Sequence, residues 1–503
     1  MRIGIIGAGI AGLATAKTLT GRGFGVTVFD RTPDLGGVWS ATRRYPGLRT
    51  QNSKKTYRFS DFPMPHDYPS WPTAAQMQAY LAAYVDRFGF GDRIRLGTEV
   101  SSAVPRADGG WTLTLLEQAA AAPSMARFDH LVVANGVFSD PLIPDFSGAD
   151  EFVDGGGRVC APSEFADLDA ARGRHVVVVG YGKSACDLAE AISEVAASTT
   201  VVTRRLLWKM PRTAGGGYEQ LALTRIGEAM FPYIEQNITE RFLHGPGRRI
   251  REHILTGIQR RVVRELRLVE LGLVPHGRFE DIAESSLSLV TEGFFEKVGT
   301  GRIVVCRDTA IDKLIAEPEG TAAYLVTGQR LRADIVACAT GFRQHVPFFG
   351  STVRDMITDA RGDFRLYRQI LPTHVPNLTF AGYNSSAVST LNAEASAAWI
   401  AGWLEGRIAL PAPHTRDAMI TQRLRWMRDR TGGHHAHGAS IAPFSIRTVD
   451  ETLADLGITV SPRVRARQWR VPVDPGDYAA LFHNDLYPTR PPSVSRPGLW
   501  RPA

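Results

Sequence analysis

Two short glycine-rich stretches carry the clearest chemistry in this chain of 503 residues. Gly7-Ala8-Gly9-Ile10-Ala11-Gly12 and Gly180-Tyr181-Gly182-Lys183-Ser184-Ala185 have the spacing of a turn that cradles a pyrophosphate. In such a turn the first glycine permits the tight bend and the second lets backbone approach the phosphates. The third position lets helix pack closely on strand. The next helix aims free N–H groups and its positive dipole end at the anion. The two turns differ in the residues beyond them. Asp30 ends the strand behind the first, where a carboxylate can accept the hydroxyls of a ribose. Arg204 and Arg205 end the strand behind the second, and a planar, permanently charged guanidinium suits a ribose 2′-phosphate. The position of the first turn at the extreme N-terminus, with a second such turn later, reads as an FAD site; the arginines make the second an NADPH site, with Arg204 the better placed by its spacing from Pro211. The alternative, two solvated arginines after an edge strand, predicts equal use of NADH and NADPH.

Between these turns lies a series of shorter signals. Gly36-Gly37-Val38-Trp39 allows backbone to run close to a flat ligand, with Trp39 to cover it. Tyr45-Pro46-Gly47 leads into Thr50-Gln51-Asn52-Ser53-Lys54 and then Phe59-Ser60-Asp61-Phe62-Pro63. Further on come Ala339-Thr340-Gly341-Phe342 and Gly382-Tyr383-Asn384. This succession resembles the flavin-containing monooxygenases, FAD/NADPH enzymes that include N- and S-oxygenases and are related to Baeyer–Villiger monooxygenases. The resemblance covers roughly residues 1–460. It implies an oxygenase that passes through a flavin hydroperoxide, with O2 and a small molecule as substrates. It also implies a cofactor hinge at Thr340 and Gly341 and a last flavin contact at Gly382. In the family an asparagine usually stands where Gln51 is found, and related Baeyer–Villiger enzymes tend to carry an aspartate. Either Gln51 or its neighbour Asn52 fills that place, and both are neutral amides that hydrogen-bond without acting as bases at neutral pH. Related enzymes also carry a histidine followed by serine ahead of the second turn, and here the two positions read Ala161 and Pro162. The loss of that histidine favours oxygenation at nitrogen or sulfur over oxygenation of a ketone.

These residues need strands and helices to hold them. Residues 3–6 and 176–179 are continuous apolar or β-branched runs, the mark of parallel strands buried on both faces. Helical stretches come after each glycine turn, and further strands at 26–29 and 200–203. The expected fold is α/β, with two Rossmann-like dinucleotide-binding domains and a helical insert. The division reads as residues 1–165 for the first part of the FAD domain and 166–335 for an inserted NADPH domain. Residues 336–460 complete the FAD domain, and 461–503 form a surface-wrapping tail. The insert spans about 213–297 and reads as a cap over the substrate entry or an oligomer contact, so a homodimer is one expectation.

Composition narrows the classes. Charged residues make up 22% of the chain and the net charge is +7, with arginine far outnumbering lysine and no long block of like charge. No nucleic-acid partner is expected. No run approaches the length of a membrane span, and no basic leader precedes the first strand, so a cytoplasmic protein is expected. The four cysteines, Cys160, Cys186, Cys306 and Cys338, form no close pair, which argues against a flavin disulfide reductase. His434, His435 and His437 lie within a glycine-rich stretch that reads as a surface loop, and no metal site is expected.

Overall fold

The β-branched run at His175–Val179 becomes the middle strand of a five-stranded parallel sheet, and the apolar run at Arg2–Ile6 the middle strand of another. A strand covered on both faces needs apolar side chains throughout, which is why neither run alternates. Ile3, Ile5, Val177 and Val178 are all fully buried. In the computed structural model, the described residues are all except 119, 121, 166, 213–216, 285–287, 435 and 484–503.

The first sheet has the order Leu378–Phe380, His130–Val133, Arg2–Ile6, Gly25–Phe29, Ile94–Arg95, with every pairing parallel. The second has the order Ile303–Cys306, Ser198–Val202, His175–Val179, Ile335–Cys338, Arg158–Cys160, again parallel throughout. Each middle strand runs through its glycine turn into a helix, Ile10–Gly21 or Lys183–Ile192, and then into a neighbouring strand. The second sheet is inserted between the strands of the first. Two passages connect them, and these pair with each other: Asp140–Pro141 lies antiparallel to Phe342–Arg343.

Sheet membership shifts the division expected from sequence. Arg158–Cys160 pairs with Ile335–Cys338 inside the second sheet, whereas boundaries at 165 and 335 assign them mostly to the flanking segments. A three-residue edge strand is too short to show a period, so its partner alone reveals where it belongs.

Residues 213–297 are largely helical where described, with helices at Gly217–Ala222, Arg225–Ala229, Ile238–His244, Arg248–Glu265 and Phe294–Gly299. This insert docks on the helix Ser445–Asp455 through polar groups. Glu228 accepts the Ile446 and Arg447 amides at 2.6 and 3.2 Å, a carboxyl set at a helix N-terminus. Arg225 pairs with Asp450, and the Tyr233 hydroxyl donates to Glu451 at 2.5 Å.

Two buried carboxyls in this framework make stability depend on pH. Desolvation pushes Glu228 up to about 8, against the pull of its amide donors. Glu394, on the helix Ser389–Leu404, accepts the Ser60 amide at 2.9 Å and hydroxyl at 2.8 Å, and burial raises it to about 8 as well. A carboxyl whose pKa is higher folded than unfolded takes up a proton on folding. Its contribution is therefore full below the ordinary value of 4.5 and is lost as pH rises through 8. At ~1.4 kcal/mol per pKa unit, each group accounts for at most about 5 kcal/mol over that window. Urea unfolding of the protein is expected to have a lower midpoint at pH 8.5 than at pH 5.5. Glu394→Gln should shrink the difference, and equal midpoints in the parent protein would contradict this account.

Candidate active site between the two sheets

Both glycine turns open on one cleft of about 1660 Å³, larger than the ~300–1,000 Å³ that usually holds a single small ligand. Every residue singled out from sequence for the nucleotide sites and the amide pair borders this cleft, except Gly12. Gly12 sits behind its turn, where an added Cβ would lie 1.9 Å from the Gly7 carbonyl oxygen.

At the first turn Gly7 has φ of +113°, and a Cβ there would meet the Ala134 carbonyl oxygen at 2.3 Å. Gly9 caps the helix Ile10–Gly21 with no side-chain cap and no acid in its first turn. The amides of that turn are thus left for a ligand. The Gly36–Gly37 backbone is laid against it, with the Gly36 amide donating to the Ala8 carbonyl at 3.0 Å. Asp30 braces the same turn. One carboxylate oxygen accepts the Ala8 amide at 2.7 Å, and the other accepts the Thr32 amide at 2.9 Å and hydroxyl at 2.7 Å. A carboxylate has about four acceptor positions, so capacity remains for a ribose hydroxyl. Gly382, with φ of +73°, fits against Ala11 at the start of the helix.

Sequence reading missed Arg43 in this region. Its guanidinium donates to the Phe138 carbonyl at 2.6 Å and also borders the cleft. Burial, and then the like charge of Arg31, lower its pKa, so an anion here would relieve two cations at once. Nothing in the local sequence around Arg43 marks it, because its neighbours come from distant segments.

The second turn repeats the geometry. Gly180 has φ of +121°, and a Cβ would meet the Ala339 carbonyl oxygen at 2.5 Å. At Gly182, the N-cap of Lys183–Ile192, a Cβ would meet nothing within 4 Å. That space opens on the cleft, and this helix also lacks a side-chain cap. The Tyr45 hydroxyl donates to Ser184 Oγ at 3.0 Å, joining the Tyr45–Gly47 loop to the second turn. Lys209, 2% exposed, supports the turn from behind by donating to the Tyr181 carbonyl at 2.8 Å. Arg204 and Arg205 are both exposed at the cleft. Arg205 faces Glu284 at 3.6 Å, whereas Arg204 makes no ion pair with a described residue. The hinge side is closed by Thr340, whose hydroxyl donates to the Leu142 carbonyl, and by Gly341, whose carbonyl accepts the Leu142 amide at 3.0 Å.

Gln51 and Asn52 border the cleft between the two turns. Asn52 is 1% exposed and donates its side-chain amide to the Ala387 carbonyl, while Gln51 is half-buried. The next segment is held by its own motif. Phe59 stacks on Tyr84 at 4.0 Å, the Phe59 amide donates to the Tyr80 hydroxyl at 2.8 Å, Ser60 binds Glu394, and Asp61 pairs with Lys17 at 2.5 Å. Tyr57 lies edge-on to Trp39 at 5.8 Å, and burial pushes its hydroxyl up to about 12. Ala161, 1% exposed, opens the turn Pro162–Glu164 and offers no polar side chain. His434 lies in an exposed loop, as expected, but it also borders the cleft; His435 lies outside the described residues. Among the described residues no cluster of three His, Cys, Asp or Glu is arranged to hold a metal. Among them too, no helix is long and apolar enough to cross a membrane.

Two parallel-sheet nucleotide units that share a cleft, with two uncapped helix N-termini and a neutral amide pair between them, define an oxidoreductase with two dinucleotide cofactors. The flavin-binding monooxygenase-like family model matches residues 1–465, and the chain belongs to that family. It is a flavin-dependent monooxygenase. Human flavin-containing monooxygenase 1 is 26% identical over 442 residues, 84% of this chain and 77% of that protein. S-allyl-L-cysteine S-oxygenase from Allium sativum superposes with a TM-score of 0.62 at 18% identity, over 93% of this chain and 91% of that one. Cyclohexanone monooxygenase from Rhodococcus sp. Phi1 bound to NADP+ gives a TM-score of 0.64 at 19% identity, over 86% and 90%.

Proposed function

We propose that this enzyme oxygenates a soft heteroatom, nitrogen or sulfur, in a small molecule at the expense of NADPH and O2. The observation that carries this reading is the neutral lining where the two nucleotide turns meet: Gln51 and Asn52 at the cleft, with Pro162 and Ser163 bordering it next to the buried Ala161, which stands where related enzymes carry a histidine. Attack by a lone pair on nitrogen or sulfur asks the protein to position the reactants and exclude water, and needs no strong base. The name of the Allium S-oxygenase is consistent with chemistry at sulfur on this fold.

In this reading the Gly7–Gly12 turn, Asp30, Gly37, Trp39 and Gly382 hold FAD. The second turn holds NADPH through Gly180, Gly182 and Ser184, with Arg204 on the 2′-phosphate and Arg205 beside it. FAD, when bound there, would supply a hydride acceptor for NADPH and a two-electron donor for O2. The chain supplies the rest. The two uncapped helix N-termini neutralise the pyrophosphates. Thr340 and Gly341 fix the hinge between the two units. The Asn52 amide, tied to Ala387, presents its remaining polar atoms in a fixed direction. The balance is substrate, O2, NADPH and a proton giving oxide, water and NADP+.

The test is product analysis by mass spectrometry with a thioether, a tertiary amine and a cyclic ketone, alongside NADPH and peroxide counts. A sulfoxide or N-oxide formed in step with NADPH is expected. Lactone as the main product would assign Baeyer–Villiger chemistry instead, and complete conversion of NADPH to hydrogen peroxide with every substrate would overturn the reading.

A further inference from the structure

The amide pair sits on a segment without helix or strand, so its position depends on what grips the segment from outside. The Thr50 amide donates to the Pro72 carbonyl at 3.0 Å, and Asn52 is tied to Ala387. The next grip comes from the helical insert. Glu219, on the helix Gly217–Ala222, accepts the Ser53 amide at 2.6 Å and the Thr56 hydroxyl at 2.9 Å on the same oxygen. Ser53 in turn opens a tight turn, its carbonyl accepting the Thr56 and Tyr57 amides at 3.0 and 2.9 Å. A backbone N–H there needs an acceptor, and an ionised carboxylate is the strong form of one.

We propose that Glu219 is a positioning residue for the amide pair, linking the helical insert to the oxygenation site. The inference rests on the proposed role of Gln51 and Asn52 at that site. Three features set it apart from an ordinary surface contact. The two partners are 166 residues apart and belong to different structural units. Tyr218, the neighbour of Glu219, is buried and borders the cleft, so the same short helix touches the ligand space and the amide segment. The helix is also anchored on its far side: Gln220 donates to the Arg470 carbonyl at 2.9 Å, and the Val473 amide donates to the Leu223 carbonyl at 2.8 Å. The insert and the C-terminal segment thereby dictate where Glu219 stands, and Glu219 dictates where the turn after Asn52 begins. Loss of the grip leaves both nucleotide turns intact and loosens the amide pair. Electrons from NADPH then reach O2 as usual, but more of them leave as hydrogen peroxide, by NADPH, a proton and O2 giving NADP+ and H2O2.

The experiment compares the FAD-loaded parent with Glu219→Ala, Glu219→Gln and Thr56→Val. It measures the ratio of peroxide to oxygenated product, the KM for NADPH and the FAD content. Glu219→Ala is expected to raise the ratio about tenfold, the scale of a small misplacement at a reacting centre, with FAD content and KM for NADPH unchanged. Glu219→Gln keeps the acceptor oxygen and should restore most of the coupling, and Thr56→Val removes one of the two donors and should uncouple more weakly. A Glu219→Gln ratio as high as that of Glu219→Ala would overturn the proposal, as would parent-like ratios in both Glu219→Ala and Thr56→Val. Should Glu219→Ala fail to fold, Glu219→Gln and Thr56→Val decide alone: parent-like coupling in Thr56→Val, or full uncoupling in Glu219→Gln, rejects it. Gln51→Ala and Asn52→Ala run alongside. If they leave coupling unchanged, the amide reading has failed; if they uncouple and the Glu219 variants do not, only the role of Glu219 has.

Discussion

Replacing Arg204 with alanine is expected to lower kcat/KM for NADPH by roughly 30- to 150-fold, the loss of about 2–3 kcal/mol from a charge-assisted contact. The same change should leave kcat/KM for NADH within about threefold, since a ribose hydroxyl makes no comparable demand on a cation. Arg204 is exposed at the end of Ser198–Val202, borders the cleft and makes no ion pair with a described residue. It can therefore meet a phosphate without first breaking a partnership. Arg205 already faces Glu284, so its replacement should cost much less, about threefold to fivefold, because an exposed pair of this kind is itself weak. Steady-state kinetics with both nucleotides decide the matter. Similar losses for NADH and NADPH in Arg204→Ala would remove the 2′-phosphate role from this residue.

The second large effect separates glycines that the protein needs for its own shape from glycines that keep room for a ligand. Gly7→Ala puts a methyl 2.3 Å from the Ala134 carbonyl oxygen at a φ that L-residues avoid, and Gly12→Ala puts one 1.9 Å from the Gly7 carbonyl oxygen. Backbone on both sides has nowhere to go. Each variant is expected to lose several kcal/mol of stability and to purify without the yellow of bound FAD. Gly182→Ala meets no protein atom within 4 Å, so it should fold, keep FAD and unfold close to the parent. Its KM for NADPH should nevertheless rise at least about tenfold, because the methyl occupies the space through which backbone approaches phosphate. Thermal unfolding, the absorbance of bound flavin and NADPH kinetics distinguish the two classes. An FAD-replete Gly7→Ala protein, or an unaltered KM in Gly182→Ala, would contradict this division.

Much of the architecture is legible in the sequence because it rests on local rules. A glycine turn between a buried strand and a helix must be written in consecutive residues, and both such units stand where the spacing puts them. The pairing of distant segments is not local. Nothing in Leu378–Phe380 names His130–Val133 as its neighbour, and Arg158–Cys160 is legible only through Ile335–Cys338. The site divides in the same way. Gly182 and Arg204 are candidates that spacing alone marks, whereas Arg43, Lys209 and Glu219 are candidates only through carbonyls and amides brought close by the fold. Asp30 shows a third case. Its place at the end of a strand is legible, but its second task, bracing the turn through the Ala8 and Thr32 amides, appears only once the chain has folded.

The inserted order of the two sheets also governs how the protein can be assembled on the ribosome. On its outer side His130–Val133 pairs with Leu378–Phe380, and every strand of the other sheet lies between these two in the chain. The second sheet has all its strands by residue 338. The first, although it begins at Arg2, lacks its outer strand until residue 380 has been made. Synthesis thus opens the first sheet first and closes it last, with every strand of the second sheet made in between.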